Sequence, residues 1–165
     1  MASALLETGL GALAFSRKVT LGLFEDIPDS KICHQPCAGA NHPLWILGHL
    51  ACTDEFFLNG VGGRPYNRFA EWEKTFFQGS KPAPDPKAYP PIAEIKAAFD
   101  KNRQDLIGWF KSMSDAELLK PIEGDLAQFA ANRAVLMSTI AWHEGQHSGQ
   151  LSVVRKSLSL APKFG

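Results

Sequence analysis

Every proline in this 165-residue chain falls between, in the first turn of, or beyond the last of four long stretches whose apolar residues recur at helical spacing. Proline inside a helix removes a backbone hydrogen bond and clashes with the preceding turn, so these positions bound the helices the chain can form. The first stretch runs from about Ala4 to Ile27 and ends at Pro28. The second takes Asn41 as its N-cap, holds Pro43 in its first turn and runs to about Asn59, before Gly60. The third follows Pro90-Pro91 and runs from Ile92 to about Met113, with Ile95, Phe99, Leu106 and Phe110 in helical register. The fourth spans about Asn132 to Leu158 and stops before Pro162. Ser114-Asp115-Ala116-Glu117 reads as a capping box that starts a short extra helix. The stretch from Val61 to Pro91 is long for a bundle connection. Its aromatics Phe69, Trp72, Phe76 and Phe77 are expected to pack across the bundle. A connection of this length suits a crossover between parallel neighbours. With no repeat, low-complexity tract or strand pattern, the reading is an all-α four-helix bundle.

The length suits one domain, 1–165, with a real core. Seventeen basic and seventeen acidic residues balance, so no charged field calls for nucleic acid. Three cysteines, an odd number, argue against a secreted disulfide framework. The segment Met1 to Glu7 lacks the basic start of a signal peptide. The most apolar run, Leu44 to Leu58, is broken by Asp54 and Glu55, which argues against a transmembrane span. A soluble cytoplasmic protein with no membrane partner is expected.

Chemistry concentrates in the histidines. In Trp142-His143-Glu144-Gly145-Gln146-His147 two imidazoles stand four residues apart, on one face of a helix. At about 100° per residue, that face also carries Leu136, Ile140, Gln150 and Val154. Two imidazoles within a core stripe need partners, and one divalent ion satisfies both. His49 sits on an equally apolar stripe of the second helix, with Trp45, Ile46, Thr53 and Phe56. Three histidines from two helices would leave an open coordination position, the mark of a reactive rather than a closed structural ion. The alternative is a set of core histidines bonded to carbonyls or carboxylates. His42 lies two turns from His49, about 10 Å along the axis, too far to share an ion with it.

His143-Glu144-Gly145-Gln146-His147 also fits the H-E-x-x-H protease pattern, with Glu144 as base. The third ligand that pattern needs is missing: no Asp, Glu or His follows His147, and Gln150 and Val153 stand where the extended motif has Gly and His. Glu144 is then either a residue behind the ligands or a solvated helix residue. Cys33-His34-Gln35-Pro36-Cys37 lacks a matching second pair and reads as a loop with two ordinary thiols. Cys52, one turn from His49, reads as a small buried hydrophobe.

Two segments carry a family resemblance. Asn41-His42-Pro43-Leu44-Trp45-Ile46-Leu47-Gly48-His49-Leu50-Ala51 resembles the helix-two signature of the DinB superfamily, and His143-Glu144-Gly145-Gln146-His147-Ser148-Gly149-Gln150-Leu151 resembles its helix-four signature. Ser148 departs from it, since the family often has Arg there. The resemblance implies an up-down-down-up bundle with a long crossover between the second and third long helices. It further implies a metal held by His49, His143 and His147, zinc or nickel most often, and frequently a homodimer. Relatives with an assigned activity are thiol-dependent. Three neutral imidazoles do not choose among late first-row metals.

These readings converge on a metal-dependent enzyme. The expected reaction is a thiol-dependent S-transfer, or a related hydrolysis or isomerisation, on a small electrophile. A thiol or water at the open position would be activated by the ion. Gln150 and Glu144 are candidates for orienting ligands, and Trp45 and Phe56 for walling a pocket. The rival is a non-catalytic metal-binding or stress-response bundle.

Overall fold

The computed structural model describes residues 3–65 and 69–164. Among them the regular elements are helical: α1 (Ala4–Phe24), α2 (Pro43–Gly60), α3 (Phe69–Phe76), α4 (Ile92–Lys111), α5 (Asp115–Leu118) and α6 (Arg133–Ser157). An isolated bridge pairs Pro121 with Asn132. No helix among the described residues is long and apolar enough to cross a membrane.

The caps explain the boundaries. Ser3 accepts from the Leu6 amide and Asn132 from the Val135 amide, each satisfying an orphan donor of the first turn. The capping box forms fully: Ser114 takes the Glu117 amide and Glu117 returns to the Ser114 amide. The cap of α2 differs from the expected Asn41. It is His42, whose Nδ1 accepts from the Trp45 amide at 3.1 Å. Pro43 takes the first helical position, where its missing N–H costs nothing, so the residue before it becomes the cap. Asn41 instead donates to Gln150 at 3.0 Å. α1 ends at Phe24 rather than Ile27, and Ile27 is still buried.

The long connection between α2 and α4 holds a helix where a loop was expected. Trp72 and Phe76 of α3 are buried, so these aromatics do reach the core, but from a helix. The side chain of Phe69 lies outside the described residues.

α1 packs along α6 and α2 along α4, while α3 lies against α2. Two apolar cores result. One gathers Leu23, Leu47, Leu50, Phe76, Phe99 and Leu151; the other gathers Leu13, Phe57, Leu106, Phe110, Leu136 and Ile140. Buried charged residues of each long helix fall, in chain order, between the two cores: Arg17, Asp54 with its neighbour Glu55, Arg103 and Glu144. Arg17, Asp54, Arg103 and Glu144 bond to one another.

These four side chains form one closed network. Arg103 grips Asp54 through Nε at 2.8 Å and Nη2 at 2.9 Å, and donates from Nη1 to Glu144 at 2.7 Å. Arg17 donates from Nε to Glu144 at 2.8 Å and from Nη2 to Asp54 at 3.1 Å. Its Nη1 reaches the Phe99 carbonyl at 2.8 Å, and its guanidinium lies 3.5 Å over the Phe99 ring centroid. Two cations face two anions, so the buried charge cancels. Burial works against the Arg103 charge, but Asp54 and Glu144 outweigh it and hold the guanidinium above its ordinary value. Charged residues from all four long helices are thus bonded at the middle of the bundle.

Candidate metal centre

α2 supplies His49, and α6 supplies His143 and His147 one turn apart. The structure brings these three together, with one ligand atom of each lying within 4.8 Å of the others. His143 Nε2 is 3.1 Å from His49 Nε2 and 3.2 Å from His147 Nε2. A tetrahedral ion with bonds of about 2.0–2.1 Å would set its ligand nitrogens roughly 3.4 Å apart.

Hydrogen bonding on the far side of the rings decides which nitrogens carry lone pairs. His49 Nδ1 is 2.7 Å from the Phe76 carbonyl, and His147 Nδ1 is 3.0 Å from Gln150 Oε1. Both oxygens are acceptors, so both Nδ1 atoms carry the proton and both Nε2 atoms present lone pairs inward. Gln150 Oε1 also accepts from the Asn41 amide at 3.0 Å. His143 has at most one proton on Nε2 to offer two lone pairs, and its Nδ1 is buried without a partner. A cation answers all three Nε2 atoms at once, so the residues present fit a divalent metal.

Burial, reinforced by His147, pushes His49 down to about 3, and burial with His147 pushes His143 down to about 4. Burial lowers His147 as well, against the opposing bond to Gln150. All three imidazoles are therefore neutral at neutral pH, the form that ligates metals.

The ring of His49 is held on a further side by Trp45. Trp45 stacks on it at 4.7 Å with 8° between planes, and the Trp45 Nε1–H donates to the Thr75 carbonyl and Ser80. Gly48 lets α3 approach: a Cβ there would sit 2.3 Å from carbons of the Phe76 ring. Gly48→Ala is therefore expected to push α3 away from α2. It should destabilise the fold by about 1–3 kcal/mol and loosen the carbonyl that orients His49. Urea denaturation checks this against Gly145→Ala, whose added Cβ meets open space and should stabilise α6 by up to about 1 kcal/mol.

The other candidates fall elsewhere. Glu144 is neither solvated nor bonded to a histidine, because Ser16, Arg17 and Arg103 occupy its two oxygens. A general-base role of the H-E-x-x-H kind has no carboxylate free to perform it. His42 is engaged by the Ala83 carbonyl and the Tyr89 hydroxyl, away from the three histidines. His34 pairs with Ser157, Cys33 is half-buried and Cys37 is exposed. Cys52 is buried, which pushes its thiol up to about 12. Ser148, at the position where Arg was expected in relatives, pairs with Thr20 of α1 at 2.9 Å, so that departure bears on helix packing.

Sequence reading missed the partners of Glu144. The available signal was Asp54, a charge set within the most apolar stretch of the chain. It also missed the Phe76 carbonyl, a backbone group that no side-chain motif marks.

Beside His49 and His143 opens a cavity of about 420 Å³, walled by Trp45, Phe56, Phe77, Phe129 and Trp142. An all-helical bundle with three convergent neutral imidazoles at the edge of an apolar cavity defines a protein able to bind a metal ion next to space for a small molecule. The chain belongs to the DinB superfamily, whose family model matches residues 12–151. No curated protein matches it.

Proposed function

We propose that the chain is a metal-dependent enzyme in which His49, His143 and His147 hold a divalent transition metal, zinc or nickel. The reaction is S-transfer from a low-molecular-weight thiol to a small electrophile, or a related hydrolysis or isomerisation. The observation that carries the reading is the pair of inward lone pairs on His49 and His147, facing a third imidazole that can answer only one of them. When bound, the ion lowers the pKa of a coordinated thiol or water and so supplies a nucleophile at neutral pH. The Phe76 carbonyl and the Gln150 amide hold two of the rings in the ligating tautomer. Trp45 and Phe56 wall the adjoining cavity.

The rival, an ion that only braces the bundle, is disfavoured by the network of Arg17, Asp54, Arg103 and Glu144. Those residues already bond the four long helices without a metal. Elemental analysis of the purified protein, followed by a panel of thiols and electrophiles, tests the proposal. Metal-dependent conjugation is expected. No turnover above that of the metal-free protein across the panel would favour the bracing role.

The same reading takes residues 1–165 as one domain in up-down-down-up order. The distribution of the two cores supports that order. One core draws on the C-terminal parts of α1 and α6 and the N-terminal parts of α2 and α4, and the other core draws on the opposite parts. A homodimer and a cytoplasmic location complete the proposal, the first from the family resemblance and the second from the composition.

A further inference from the structure

We propose that the cavity beside the three histidines selects an uncharged, ring-bearing small molecule as the electrophile. Among the described residues, none of those lining it is Asp, Glu, Lys or Arg. By contrast, a cavity of about 510 Å³ elsewhere in the molecule is lined by Glu25, Asp29, Lys96 and Asp100. The chain therefore has charge to place around a hollow and places none here.

The walls are rings in mutual contact. Phe56 lies 5.3 Å from Phe57, 5.1 Å from Phe77 and 6.1 Å from Phe129, centroid to centroid. Edge-to-face and tilted arrangements of this kind continue favourably onto a further flat ring. The hydroxyls in the lining are largely committed: Thr53 donates to the His49 carbonyl, and Thr139 to the carbonyls of Phe129 and Val135. With the open position of the ion taken by the thiol, a carboxylate or phosphate entering would lose its hydration and meet no cationic side chain, which is costly. A neutral ring loses little hydration and gains contact on several sides. At about 420 Å³ the space is within the range of small-molecule sites. Two of its walls, Phe129 at 37 % exposure and Trp142 at 62 %, stand open to solvent at the mouth, as surfaces an occupant would cover.

That this occupant is a substrate rests on the metal reading; that the cavity holds it does not. The test uses the full chain, metal-free and cobalt-loaded, with two probes that share a ring system: naphthalene-1-methanol and naphthalene-1-sulfonate. In calorimetric titration of the metal-free protein, the alcohol is expected to bind about tenfold or more tightly than the sulfonate. Trp142→Ala and Phe129→Ala, both at the exposed mouth, are each expected to weaken the alcohol by about threefold or more. In the cobalt-loaded protein the probe's ring-proton NMR lines should broaden, because the ring sits beside the ion. Equal or tighter binding of the sulfonate to metal-free protein would overturn the proposal. So would alcohol binding that neither variant changes, which would place the ring elsewhere. If the protein retains no cobalt, the metal reading fails, and the metal-free titrations still decide what the cavity selects.

Discussion

Glu144→Ala is expected to lower the stability of the fold by about 3–5 kcal/mol. The carboxylate is fully buried and takes hydrogen bonds from Ser16, Arg17 and Arg103. Its removal leaves two guanidinium groups facing Asp54 alone, in a region where water cannot replace the lost partner. The loss is dominated by the stranded charge rather than by the contacts themselves. Since small domains are stable by only about 5–15 kcal/mol, this one change should bring the protein near its unfolding threshold. Urea denaturation followed by circular dichroism measures it. A shift below about 1 kcal/mol would mean that the network is solvated or dispensable. Replacing Lys101, whose pair with Asp105 lies one turn apart on an exposed face of α4, gives the contrast. That pair should be worth no more than about 0.5 kcal/mol.

The second large effect is on metal content. His143→Ala and His147→Ala are each expected to abolish stoichiometric metal after dialysis, because two imidazoles remain where three converge. His34→Ala, far along the chain and bonded to Ser157, should leave the metal content unchanged. Gln150→Leu should fall between: it keeps all three ligands but removes the acceptor that holds the His147 proton on Nδ1. Loss of such an outer partner typically costs about 10–100-fold in metal affinity. Elemental analysis reads the first three variants, and competition with a chelator of known affinity reads the fourth. Full metal retention by a His143→Ala, His147→Ala double variant would remove the proposed centre.

Much of the scaffold was legible from the residues. The proline positions and the 3.6-residue periodicity placed the four long helices to within a few residues, because both signals are local to the chain. α3 was not legible: Gly62, Gly63 and the prolines around it mask a helix of only eight residues. The cap at His42 was missed by one position because asparagine is the commoner cap, and here the adjacent proline decides. The convergence of His49 with His143 and His147 was anticipated from spacing on two helices together with the family resemblance. The charge network was not, since apart from Asp54 its members look like ordinary solvated positions until the helices are assembled. Arg17 and Arg103 lie 86 positions apart, and nothing local announces that they share two acids.

The carbonyl of Phe76 belongs to the excursion between α2 and α4, outside the four long helices. Yet it holds the proton of His49. A change of length or sequence in that excursion can therefore retune the reactivity of the centre while the four long helices stay as they are. The bundle and its chemistry are, to that extent, free to diverge at different speeds.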